Sequence, residues 1–501
     1  MTENSGTYAA QSSTVGGKLA LPLKETPRSV SVLGRQQLDD QNLTTIDGAL
    51  EKATGVYVRT EGDMSDGPFF YARGFAMSVA ENGMPFDTTY YGGGLDTSVY
   101  DRIEVLRGPD GLMQGQGQLG GTVNLVRKRP LPYDQRKVQG MAGSNRHLSG
   151  SLDVSQVLNT AGTLRGRAVL SAENSDGFVS HTGREQYLGY GILEADLAPS
   201  TMVSIHLLAQ RTNTNPYFGG LYDGEQYTPR GQYGGARWSR YAFDREEAGL
   251  GVRHRFTADW SLSADVHYRR YDNQKRFAFH NPHPAFGSNG GQSALINRAT
   301  WFAGNQRTAD MHLNGRFRTG ARTHEVVVGA NVERYDFRNW TRNAPSVGMW
   351  TFGNAEVPYV ELERPDSSDS HVSQTGIYVQ GNVELADGLN LHLGGRYSKY
   401  RSERTSPAGV HRLLYDESNV FTPYGGLVWK LNDQISVYAS YADIFRPQSA
   451  GSEDASGKLL DPLVGKQVEV GANMGLFQDR VNARWLAIPI RGPNIQAAMK
   501  T

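Results

Sequence analysis

From about Leu131 onward the chain alternates. Leu262, Ala264, Val266 and Tyr268 are separated by Ser263, Asp265 and His267, and the period of two recurs at Val203, Ile205, Leu207 and Ala209. It returns at Leu389, Leu391 and Leu393, and again at Ile435, Val437, Ala439 and Tyr441. Successive side chains of a strand point to opposite faces, so each stretch predicts a β-strand with one apolar and one polar face. Breaks between them are short near Asp259, Gly320, Gly388 and Asn432, and long over roughly 211–245, 272–307, 336–372, 401–420 and 443–466. Strands of about ten residues joined alternately by short turns and long polar loops follow the plan of a bacterial outer-membrane barrel. A soluble sandwich also alternates, with one face wet, but needs no such asymmetry of connections. About fifteen strands fit between 131 and 487, where barrels with a plugged lumen have about 22.

The stretch before the alternating series has a mixed pattern. Ser29–Val32 alternates as a strand. Arg35–Leu50 carries Leu38, Leu43, Ile46, Ala49 and Leu50 at helical spacing, with Thr44 or Thr45 as the candidate N-cap, and Asp39-Asp40 reads as a helix flank. Gly55–Arg59 and Phe69–Phe75 read as strands, and Asn82-Gly83 is a hairpin turn signal. Two further strands, around Ile103–Leu106 and Thr122–Val126, flank a bend rich in glycine. Residues 1–24 are polar and read as a flexible extension, 25–130 as a compact α+β domain.

Composition narrows the classes. The 501 residues carry 51 basic and 51 acidic side chains, a formal charge of zero that speaks against a generic nucleic-acid binder. No apolar run approaches the roughly eighteen residues of a membrane helix, which leaves a membrane β-barrel open. Cysteine is absent, so disulfides and thiolate metal sites are excluded. No secretory signal pattern is visible at Met1. Gly115–Gly120 fits a G-x-G-x-x-G dinucleotide fingerprint, but that fingerprint requires a following helix, and Gly121-Thr122-Val123-Asn124-Leu125-Val126 reads as a strand.

Several separated motifs point one way. YDRIEVLRGP at Tyr100–Pro109 and GGTVNLVRKRP at Gly120–Pro130, with TPRSVSVL at Thr26–Leu33, ARGF at Ala72–Phe75 and NGMP at Asn82–Pro85, stand in the order in which they occur in the plug of TonB-dependent outer-membrane receptors. The chain resembles that family, and its ferric-siderophore branch in particular, over roughly Leu19–Leu486. The resemblance implies a membrane β-barrel, antiparallel and incomplete, with about 14–15 of 22 strands, and an N-terminal α+β plug in its lumen. It divides the chain into a plug at 25–130 and a partial barrel at 131–487. The resemblance ends after Leu486, and 488–501 reads as an aberrant tail of a truncated receptor. No segment stands out as the TonB box that the energy-coupling protein grips.

The implied function is uptake of a ferric siderophore with TonB-supplied energy, without catalysis and without a directly bound cofactor, by a monomer embedded in outer-membrane lipid. The expected ligand contacts are aromatic faces and arginine donors: Phe69, Phe86, Tyr90 and Tyr91 on plug loops, and Tyr217, Phe218, Arg237 and Trp238 on the first long barrel loop. Many such receptors place an Arg before the ARGF strand, where this chain has Asp66-Gly67-Pro68, so the siderophore class stays open. Arg73 in ARGF and Arg107 in LRGP are expected to hold the plug by pairing with barrel glutamates, with Glu469 of QVEVG as one partner. Metal ligation is weakly represented: His280 and His283 lie in a long polar loop without a third ligand, and Glu61, Asp63 and Asp66 form a small acidic loop. The alternative readings are a receptor for haem or cobalamin, a soluble all-β binding protein, and a truncated product without function.

Overall fold

The computed structural model describes residues 8, 10–60, 69–87, 94–217, 231, 233, 235–280, 292–344, 349–351, 356–448, 455, 460–477, 481–487 and 490–491. A seventeen-stranded antiparallel sheet runs from Gln135–Ala142 to Ile490–Arg491, and two of its strands, Met349–Thr351 and Ile490–Arg491, are only two or three residues long. Fifteen long strands remain, as the alternation predicts. Among the described residues the first and last strands of this sheet do not pair with each other.

The alternation sorts the wall into two faces. On Thr201–Asn215, Ile205, Leu207, Ala209 and Arg211 are exposed, while His206, Leu208, Gln210 and Thr212 are buried. The same inversion holds around the sheet. Leu170, Leu250, Met311, Val328, Ile377, Val379 and Trp429 are exposed on one side, and Arg167, Glu247, Thr308, Gln374, Gln380 and Arg396 are buried on the other. Apolar outside and polar inside is the reverse of a soluble core, and it is what a wall between lipid and a filled lumen requires. No helix among the described residues is long and apolar enough to cross a membrane.

Inside the wall sits a smaller sheet in the order Ser29–Gly34, Tyr100–Arg107, Gly121–Arg127, Phe75–Glu81, Phe69–Ala72, Val56–Arg59. Only Phe75–Glu81 and Gly121–Arg127 run parallel. The Asn82-Gly83 hairpin forms, with both residues at positive φ, and pairs Glu81 with Met84. Gly121 is held at φ +127°, where a Cβ would stand 2.0 Å from the Leu106 carbonyl oxygen, so only glycine brings these two strands together. Since Gly121–Arg127 is a strand, the G-x-G-x-x-G run has no helix N-terminus to offer a phosphate.

The structure departs from the sequence expectations in four places. The helical segment is two helices, Arg35–Asp40 and Ile46–Glu51, broken at Asn42 (φ +55°), and Thr45 caps the second by accepting from the Gly48 N–H at 3.2 Å. The Phe69–Phe75 strand is interrupted by a turn at Arg73-Gly74, both at positive φ. The extension is not free from residue 10 on. Ser12–Ser13 pairs with Leu21–Pro22, Ala10 and Val15 are buried, and Lys18 forms an ion pair with Asp310 of the wall at 3.2 Å. Finally, much of the expected loop at 272–307 and 401–420 is strand. Gln292–Thr319 runs 28 residues, and only residues 406–410 separate Thr405 from the strand His411–Lys430. At about 3.3 Å per residue such ladders far exceed the roughly 25 Å apolar band of an outer-membrane barrel, so their polar ends stand clear of it. Backbone ladders do not need apolar side chains, which is why polarity alone concealed them. Of the expected tail, Ile490 and Arg491 continue the ladder by pairing with Gln467 and Lys466.

Candidate functional site: the plug against the inner wall

Among the charged contacts that join plug and wall, two are built around buried glutamates. In the first, Arg73 at the ARGF turn donates to Glu469 at 3.0 Å and to Gln467 at 2.8 Å. Glu469 is buried and also accepts from the Tyr438 hydroxyl at 2.5 Å and from Gln467 at 3.0 Å. Arg107 turns to the plug itself. It donates to Ser31 Oγ at 2.9 Å and to the Thr54 carbonyl, and has no ion pair with a barrel glutamate among the described residues. Burial, with the positive charges of Arg484 and Arg73 beside it, lowers the Arg107 guanidinium to about 10. A cavity of about 830 Å³ opens here, lined among others by Thr54, Gly55, Arg73, Arg107 and Arg484.

The second contact went unnoticed in the sequence. Glu81, at the end of a plug strand, receives Arg127 of the plug at 2.8 Å and Arg269 and Arg245 of the wall at 2.6 and 3.3 Å. All three arginines also reach Glu247 of the wall, and Tyr100 donates its hydroxyl to Glu81 at 2.9 Å. Every member is at least 95 % buried. Burial alone would raise the Glu81 carboxyl, but the guanidiniums of Arg127, Arg269 and Arg245 hold it well below the usual carboxylate range. Glu247, Arg245 and Arg269 occupy alternate, inward positions of neighbouring strands, so the wall's period of two aims all three at the plug.

Phe86 sits under this cluster, 2 % exposed, with Arg245 and Arg269 at 4.7 and 4.8 Å from its ring centre. That position removes Phe86 from the ligand surface expected of it. Its ring is a packing face for two guanidiniums. Phe69 is exposed, with Arg59 over its ring at 5.9 Å. Tyr217 is half-buried against Val179 and Tyr233. Trp238 is also corrected. It packs on Ala278, Leu295 and Val357, donates to the Val357 carbonyl at 2.8 Å and meets Tyr359 edge-on at 5.2 Å. Ala278 and Leu295 belong to the outward set of their strands, so Trp238 lies against the opposite face of the wall from the lumen. Neighbouring Arg237 is exposed and pairs with Glu356 at 2.9 Å. Tyr90, Tyr91, Phe218, His283, Glu61, Asp63 and Asp66 lie outside the described residues, as does the side chain of His280. Among the described residues no group of three or more His, Asp or Glu could hold a metal ion. Asp39 lies within the first helix, paired with Arg35 at 2.8 Å and with Lys137 of the wall at 2.5 Å.

Further along the same inner face, toward the long-loop end, the wall becomes aromatic. Tyr241, Phe243 and Phe277 pack together with Phe279. Lys275 stands 5.1 and 5.6 Å from the centres of the Tyr241 and Phe243 rings, and Arg298 stands 4.5 Å from that of Phe279. Phe302 stacks on Phe337 at 5.6 Å, and Tyr335 adjoins it. All of these side chains but Tyr335 sit in stretches whose polarity reads as loop in the sequence.

The family model described as "TonB dependent receptor-like, beta-barrel" matches residues 189–486, and that described as "TonB-dependent Receptor Plug Domain" matches 22–122. The chain belongs to the TonB-dependent receptors. It is 32 % identical to the ferric-pyoverdine M114 receptor of a Pseudomonas species, over 96 % of this chain and 61 % of that protein. It is also 32 % identical to the ferripyoverdine receptor of Pseudomonas aeruginosa, over 96 % and 60 %. The solved structure of the ferripyoverdine receptor of the outer membrane of Pseudomonas aeruginosa bound to ferripyoverdine matches with a TM-score of 0.90 at 29 % identity, over 97 % of this chain and 66 % of that one. The chain thus spans about three fifths of the length of the curated relatives it matches.

Proposed function

We propose that this TonB-dependent receptor binds an iron(III)-siderophore at the aromatic inner wall above the plug and passes it through the outer membrane when TonB pulls the plug's N-terminal side. The observation that carries the reading is the half-exposed set of Phe279, Phe337, Lys275 and Arg298 on the inner face, backed by the buried rings of Tyr241, Phe243, Phe277 and Phe302. Flat rings hold a bulky chelate by area, and the two cations attract its anionic oxygens. Iron inside a siderophore needs no protein ligand, so the site calls for no thiolate or imidazole. No covalent bond is made or broken; binding and release are the whole of the chemistry. The pyoverdine receptors named above support ferripyoverdine as the first candidate.

Titration calorimetry of the full chain in detergent with ferripyoverdine tests this. Saturable binding is expected, weakened about tenfold or more in Lys275→Ala/Arg298→Ala, as loss of two charge-assisted contacts implies. Absence of saturable binding by ferripyoverdine and by ferrioxamine B, or binding that the double substitution leaves unchanged, would contradict it.

A further inference from the structure

The outer face of the wall changes character in an ordered way. Cross-strand register places Met311, Ala330, Ile377 and Tyr397 side by side on four adjacent strands, an unbroken apolar row. Two residues further toward the long-loop end, the row reads Ala309, Val332, Thr375, Lys399. Two further still, it reads Arg307, Arg334, Ser373, Arg401. Lys399 and the three arginines are exposed, and their sequence neighbours Gln306, Thr308, Glu333, Tyr335, Ser398, Tyr400 and Ser402 are buried, so all four cations point away from the lumen. From the apolar row to the arginine row is about 13 Å along the strands.

Arg307 and Arg334 are direct cross-strand partners. Like charges so placed repel and destabilise a sheet unless an anion lies between them. The next row supplies only part of that charge. Asp336 of that row stands 3.6 Å from Arg307, and Arg401 pairs with Glu403 of that row and with Asp416, its own cross-strand partner on the following strand. Arg334 and Lys399 have no hydrogen bond or ion pair among the described residues. They flank Ser373 and Thr375, two hydroxyl-bearing positions on the strand between them.

We infer that this patch, Arg307, Arg334, Ser373, Thr375, Lys399 and Arg401, is a docking surface for the phosphate of a lipid in the leaflet on the long-loop side. The position selects the source. Its lower edge continues into the apolar belt that acyl chains cover, so a phosphate anchored by hydrocarbon tails arrives at the height of the cations, whereas free phosphate gains nothing from the belt. Guanidinium forks match phosphate oxygens two at a time, and the ammonium and hydroxyls complete the set. The proposal depends on the belt lying in lipid and not on which chelate the lumen takes.

Native mass spectrometry of the full chain in a neutral maltoside detergent, titrated with dioleoyl phosphatidic acid, tests the assignment. One phosphatidic acid is expected to stay bound where dioleoylglycerol, which lacks the phosphate, does not. Arg334→Gln/Lys399→Gln should weaken retention at least tenfold, and Arg240→Gln, an exposed cation away from the patch, should leave it unchanged. Ser373→Asp sets a carboxylate among the same cations without removing them, and should abolish retention even if the double variant fails to fold. Equal retention of dioleoylglycerol, indifference to both Arg334→Gln/Lys399→Gln and Ser373→Asp, or displacement of the lipid by equimolar inorganic phosphate would overturn the inference.

Discussion

The two glutamate-centred contacts between plug and wall are built differently. Around Glu81 two carboxylates and three guanidiniums are enclosed with Phe86 and Tyr100, each at least 95 % buried, and each charge has more than one partner. Around Glu469 a single carboxylate serves Arg73, while Arg107 and Arg484 stand close by at the rim of an 830 Å³ cavity. Breaking a buried ionic network leaves charges stranded at low dielectric, whereas a contact beside a cavity can be rehydrated. The difference teaches that the plug is held unevenly. The strands Phe75–Glu81 and Gly121–Arg127 are pinned, and the side carrying the N-terminal residues, Ser29–Gly34 and Arg73 is the one placed to give way. Lys24 reaches the wall on that side through the Asp433 carbonyl, whereas Lys18 pairs with Asp310 beside the Asn82-Gly83 hairpin of the pinned side.

The sharpest way to break this contrast is to remove its centre. Glu81→Ala leaves three guanidiniums around one carboxylate and should destabilise the plug by about 3–5 kcal/mol, read as a lowered urea midpoint for protease resistance of the plug. Phe86→Ala should cost about 3 kcal/mol in the same assay, since a cavity opens under Arg245 and Arg269 as their ring face disappears. Arg73→Ala should cost less, about 1–3 kcal/mol, because Glu469 keeps its bonds from Tyr438 and Gln467. Equal losses for Glu81→Ala and Arg73→Ala would erase the distinction.

A pH dependence at the plug's exit gives a separate check. Burial lowers the Lys128 ammonium to about 8 despite its pairing with Asp153 at 2.7 Å. An unfolded lysine keeps its proton to about 10.4. Between those values the unfolded chain binds the extra proton, so plug stability should rise with pH from about 8 to about 10.4 and stay flat with respect to this group below 8. Lys128→Met should remove that rise, and Asp153 retains Arg167 through two bonds of 2.7 Å.

How much of this was legible in the sequence follows from what each feature needs. Period-two alternation is a local property of a wall with two unlike faces, so the strand number, the greasy exterior and the Asn82-Gly83 hairpin could all be read directly. The Arg73–Glu469 pairing came from motifs, since nothing local links positions 396 residues apart. The Glu81 cluster joins residues 164 and 188 apart; Tyr100 and Arg127 stand in motifs, but Glu81, Arg245, Glu247 and Arg269 do not, and the local signal for the wall residues is charge at inward positions of Arg240–Arg255 and Trp260–His280. Phe86 and Trp238 were misplaced for a shared reason: an aromatic in an irregular segment has no period to say which face it takes. The packing of residues 10–24 escaped because Ala10, Val15 and Ser13 are small and the partners that bury them lie far along the chain.

Uneven anchoring of the plug is most directly measured by amide hydrogen exchange on the intact chain, resolved by segment. The account predicts that Phe75–Glu81 and Gly121–Arg127 exchange most slowly and that Ser29–Gly34 and Val56–Arg59 open at least tenfold faster. It also predicts that Glu81→Ala abolishes the gap where Arg73→Ala widens it. Uniform exchange across the plug, or slower exchange on the Arg73 side than on the Glu81 side, would contradict it.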